Sequence, residues 1–141
     1  MDQRPYEQQR RVRSLPDLDP RWLDAAVDAG SVALVCSLAR PGHSAANRLL
    51  SEQLARAENP QELLRTMVRI QHPEAIDALI AALKEQAKGK YYSYLGHWYG
   101  PMIADLPRSA LARIEELLPT LPDKMVDQLM EHVLALKDKP E

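Results

Sequence analysis

Apolar residues recur along this chain at helical spacing, in short runs of which five open beside a proline. The clearest run holds Ile76, Leu79, Ile80 and Leu83 at i, i+3, i+4 and i+7, which places all four on one face of a helix. Leu63, Leu64, Met67 and Val68 make a similar face after Pro60. Ala110, Leu111, Ile114, Leu117 and Leu118 do so after Pro107, and Val126, Leu129, Met130, Val133 and Leu136 after Pro122. Trp22, Leu23, Ala26 and Val27 follow Pro20 and are expected to be buried. Proline suits a first helical turn, because that turn has no intrahelical partner for its N–H groups and proline's φ is already helical. Pro20, Pro60, Pro73, Pro107 and Pro122 therefore mark where helices begin.

Between these runs lie the expected caps and stops. Asp19 precedes Pro20 as an N-cap, and Gly30 can take the left-handed conformation that ends a helix. Ser31 and Ser44 read as the caps of the next two helices, with Pro41-Gly42 between them. The segment SVALVCSLAR is apolar enough to be a buried strand or a buried helix, and its helical neighbours decide for helix. Ala46, Leu49, Leu50, Leu54 and Ala57 then form a stripe. β-Branched residues are sparse, and no Asn-Gly or Asp-Gly turn joins alternating runs. The chain is predicted to be all-α.

Helix starts at residues 20, 31, 43, 60, 73, 107 and 122 make two helices a unit of about 30 residues, the size of pair that an α-solenoid stacks. On the X-Pro openings and the Leu/Ile/Ala stripes of residues 20–88 and 107–137, the chain resembles HEAT-like helical repeats. That resemblance implies stacked antiparallel helix pairs and a scaffold or peptide-binding role, with no catalytic residues to carry over. The Asp-x-x-Val-Arg pattern of such repeats is not evident, and a compact helical bundle would give nearly the same stripes. Residues 1–18 are polar and form an arm with Arg10, Arg11 and Arg13. Residues 19–141 are expected to form one helical-repeat domain, interrupted by an aromatic insertion at 89–100. A polar start and an ending at Lys139-Pro140-Glu141 fit a terminal piece of a longer array as well as a small repeat protein.

The interruption is where the aromatic residues gather. Tyr91, Tyr92, Tyr94, Trp98 and Tyr99 fall within nine residues and are five of the seven Tyr and Trp in a chain without Phe. These side chains join a large apolar body to a hydrogen-bonding tip, the combination enriched at binding hot spots. Gly96 and Gly100 allow sharp turns, and His97 in their midst is the histidine placed for acid–base work. Two readings follow. The rings pack over the joint between two halves of the domain, or they form the partner surface Tyr91, Tyr92, Tyr94, His97, Trp98 and Tyr99.

Composition removes other options. Of 141 residues, 45% are apolar and 27% charged, as in ordinary globular proteins. Eighteen Lys and Arg against twenty Asp and Glu leave a net charge of −2, which argues against a nucleic-acid surface. The lone Cys36 can form no intramolecular disulfide and reads as a small buried hydrophobe in a reduced, cytoplasmic compartment. No run of apolar residues is long enough to span a membrane. His43, His72, His97 and His132 are scattered, with neither HExxH nor CxxC, so no metal or other cofactor is expected. No phosphate loop or nucleophile elbow is present. The function expected is a non-catalytic interaction or scaffold module that binds a protein or peptide. The alternative is a small-ligand binder or an enzyme, for example glycosylase-like, using His97 and nearby aromatics with Asp105.

Overall fold

In the computed structural model, which describes residues 19–58, 60–89 and 98–140, every regular element among those residues is helical. The α-helices are α1 (Pro20–Asp28), α2 (Val32–Leu38), α3 (Ser44–Leu54), α4 (Gln61–Arg69), α5 (Ala75–Ala87), α6 (Gly100–Asp105), α7 (Leu111–Leu117) and α8 (Asp123–Lys137). Short 3₁₀ turns, Arg108–Ala110 and Leu118–Thr120, flank α7. The all-α expectation is met. The chain divides into two compact units, Met1–Thr66 and Met67–Glu141, with the boundary falling inside α4.

Each helix start has a local cause, and the prolines stand at or just ahead of it. Pro20 is the first residue of α1, and the extended Asp19 accepts the Arg21 N–H at 2.9 Å. Pro60 accepts the first helical bond of α4, from Leu64 N–H at 2.8 Å. Pro107 and Pro122 are extended residues immediately before the 3₁₀ turn and α8, while Pro73 lies in the turn ahead of α5. Ser31 makes no side-chain cap bond, and Ser44 is not a cap either. The cap of α3 is His43, whose Nδ1 accepts the Ala46 N–H at 3.1 Å.

In the first unit α1, α2 and α3 pack on one another around Leu23, Val35, Leu38 and Leu50. The Nε2–H of His43 donates to Asp24 Oδ1 at 2.7 Å, so the residue that caps α3 also ties it to α1. Trp22 is not buried as expected: it is 57% exposed, because the inward stripe of α1 is Leu23 and Ala26. Val27 and Cys36 are half-buried. The end of α1 closes with Ser31 N–H on Ala26 C=O at 3.1 Å and Gly30 N–H on Val27 C=O at 2.9 Å, a Schellman turn with Gly30 at φ 66°.

The second unit buries Leu79 and Leu83 of α5, Met102 and Ile103 of α6, Ile114 of α7, and Met125, Leu129, Val133 and Leu136 of α8. Met130, expected on that inner face of α8, is 36% exposed. The Asp77 carboxylate pairs with Arg113, and further along the same two helices Ile80 and Lys84 face Leu117 and Thr120 across a cleft. Gly100 meets the His132 ring, and six residues later the Leu106 carbonyl accepts from Lys139 Nζ at 2.7 Å. Partner numbers rise together in both cases. Thus α5 and α7 run in the same direction, and so do α6 and α8.

Candidate interaction site

Four of the six residues singled out by the sequence, Tyr91, Tyr92, Tyr94 and His97, lie outside the described residues. The other two differ from each other. Trp98 is half-buried, whereas Tyr99 is only 3% exposed and occupies the position before α6. Burial pushes the Tyr99 phenol above its ordinary pKa, and a hydrogen bond with the Gln86 side chain on α5 offsets part of that shift. A buried, neutral phenol with a protein partner is a packing group. Tyr99 therefore anchors the end of the aromatic segment in the second unit.

The anchor leads directly into α6, an element the sequence pattern missed. Six residues are too few to display a period, and Pro101 in the first turn reads as a break. Its signal is the buried pair Met102 and Ile103, which attach it to the core beside α8. A Cβ at Gly100 would run into the His132 ring, so this residue supplies room rather than an unusual backbone angle.

The described histidines perform structural tasks. His43 caps α3, and His72 is buried in the turn before α5, where its Nδ1 accepts the Glu74 N–H at 2.9 Å. His132 packs against Gly100 and lies 3.4 Å from the Glu131 carboxylate. Among the described residues there is no group of three or more His, Cys, Asp or Glu that could hold a metal ion. Asp105 is exposed at the end of α6.

Two concavities are lined by described residues. The cleft between α5 and α7 measures about 220 Å³ and is lined by Ile80, Lys84, Arg113, Glu116, Leu117 and Thr120. Its floor is apolar and its rim mixes charges of both signs. Arg113 is already engaged by Asp77, and Thr120 Oγ1 donates to Leu117 C=O at 2.6 Å. In the first unit, a hollow of about 350 Å³ lies beside exposed Trp22 and is lined also by Asp19, Arg21 and Ala25. The Arg21 guanidinium hydrogen-bonds Asp19 and holds its carboxyl below the usual carboxylate range. Neither concavity is lined by a cysteine or a histidine.

No helix among the described residues is long and apolar enough to cross a membrane. Comparison with protein-family models, with curated proteins and with solved structures finds no match for this chain.

Proposed function

We propose that the protein is a non-catalytic interaction module, a scaffold that engages a protein or peptide through its aromatic segment. The observation that carries this reading is the contrast at the segment's end. Tyr99 is fixed in the core while the adjacent Trp98 is half-buried, and both follow directly on a run that holds Tyr91, Tyr92, Tyr94 and His97. An aromatic side chain held in place by a buried neighbour loses little conformational freedom on binding. The HEAT-like stacking of helix pairs belongs to the same proposal. It is supported by α5 and α7 running in one direction and α6 and α8 in one direction, each helix with its partner one pair further along the chain. A single thiol, Cys36, supports a reducing, cytoplasmic setting.

The test uses wild type, Trp98→Ala and Tyr94→Ala as parallel baits in a lysate, with melting curves as the folding control. Proteins retained by wild type and lost from both variants of unchanged stability support the reading. Recovery of the same proteins by all three baits overturns it.

A further inference from the structure

The longest helix among the described residues, α8, carries a second stripe that the core does not use. Met125, Leu129, Val133 and Leu136 are the buried side of α8. At 3.6 residues per turn, Asp123, Asp127, Met130, Leu134 and Asp138 follow one another at i, i+4, i+7, i+11 and i+15 along another side, with Glu131 beside them. All six are exposed, and Met130 and Leu134 at 36% and 51% are two of the four large hydrophobic side chains left open among the described residues. His132, which meets α6 at Gly100, falls on the side of α8 opposite Leu134. The open stripe therefore faces away from α6, where the next helix of a row would lie.

Charge identifies the occupant. Four carboxylates frame the two apolar side chains, and two exposed cations, Lys137 and Lys124, stand at the two edges of that face, which leaves it net negative. Among the described residues, the one close polar approach made by the four carboxylates is that of Glu131 to its neighbour His132 at 3.4 Å. We infer that this face of α8 docks a basic amphipathic helix. Its apolar stripe covers Met130 and Leu134, and its Lys or Arg flanks lie against Asp123, Asp127, Glu131 and Asp138. A helix fits because the stripe runs along four turns with a helical period, which a second helix can match row against groove. Rim charges at exposed positions steer and orient more than they bind, so the association is salt-sensitive. This inference is independent of the aromatic segment.

The experiment is an amide-NMR titration of the full chain with a synthetic helix of about 14 residues bearing a Leu stripe flanked by Lys, long enough to follow the stripe. The same peptide with Glu in place of Lys is the control. Shifts confined to residues 123–138 are expected, together with no response to the Glu peptide and about tenfold weaker binding on going from low salt to about 0.3 M. Leu134→Ser and the double change Asp127→Lys with Glu131→Lys should each weaken binding about tenfold, the order that one lost apolar contact or a reversed charge pair produces. Both changes are at exposed positions and should leave the melting temperature in place. Shifts elsewhere on the chain, or wild-type affinity retained by either variant, overturn the proposal. So does a wild-type dimer in sedimentation velocity that Leu134→Ser converts to monomer, which would assign the face to a second copy.

Discussion

The two units end a helix with the same backbone closure and fill it with different residues. After α1, Ser31 and Gly30 donate back to Ala26 and Val27; after α4, His72 and Gln71 donate back to Met67 and Val68 at 2.8 and 3.1 Å. The left-handed position is Gly30 in the first unit, at φ 66°, and Gln71 in the second, at φ 56°. Glycine takes that conformation freely, whereas a side chain pays about 1–2 kcal/mol for it. The second unit spends a glycine elsewhere, at Gly100, where backbone angle is not the issue and space against His132 is. Conformation and room are separate demands on glycine, and each unit answers one of them.

The largest break in this comparison should come at Gly100. Gly100→Ala is expected to lower stability by about 1–3 kcal/mol through overpacking against the imidazole. Urea denaturation measures it, and His132→Ala in the same background should return part of the loss. Unchanged stability would mean that the ring yields without cost.

Next come the two left-handed positions, which should respond with opposite signs. Gly30→Ala is expected to destabilise by about 1 kcal/mol, although nothing stands where its Cβ would go. Gln71→Gly should instead stabilise by about 0.5–1 kcal/mol, the relief of strain exceeding the added freedom of the unfolded chain. Matching signs would show that the two turns are not equivalent.

Of similar size, and confined to the first unit, is the loss expected from His43→Ala. Removing the cap of α3 should cost about 1 kcal/mol. In a double-mutant cycle with Asp24→Ala the two losses should fall short of additive, because the Nε2 bond to Asp24 disappears with either change.

The smallest effect is alkaline and belongs to the second unit. In the folded chain the Tyr99 phenol is raised above its ordinary pKa by burial, so the unfolded chain releases that proton first. Stability from Tyr99 is therefore complete below about pH 10 and declines as pH rises through the folded value. Urea midpoints on either side of that pH should show the decline, and Tyr99→Phe should flatten it.

The helical stripes were legible because burial follows period: Leu79, Ile80 and Leu83 are buried where their spacing puts them. Trp22 and Met130 were misplaced because apolar character alone does not say which of two adjacent directions faces the core. The cap at His43 was hidden since an imidazole acceptor is not among the usual cap side chains, and Ser44 beside it is. Gln71 gives no sign of a left-handed turn in any sequence. Gly100 could not be explained before His132, far along the chain, was known to lie against it. Of the candidate site, the sequence located the aromatic segment but could not tell Tyr99, committed to the core, from half-buried Trp98.

The shared direction of α6 and α8 has an electrostatic consequence. Parallel neighbours bring their negative dipole ends together, an arrangement that repels. Here each end is met by a cation carried in from beyond the other helix. Arg108, which follows α6, donates from Nε to the Lys137 carbonyl at the end of α8 at 3.2 Å, and Lys139, which follows α8, reaches the Leu106 carbonyl after α6. The helices exchange counter-ions, and like poles are turned into a reciprocal latch. Reversing the charge of either residue would unsettle both helix ends at once.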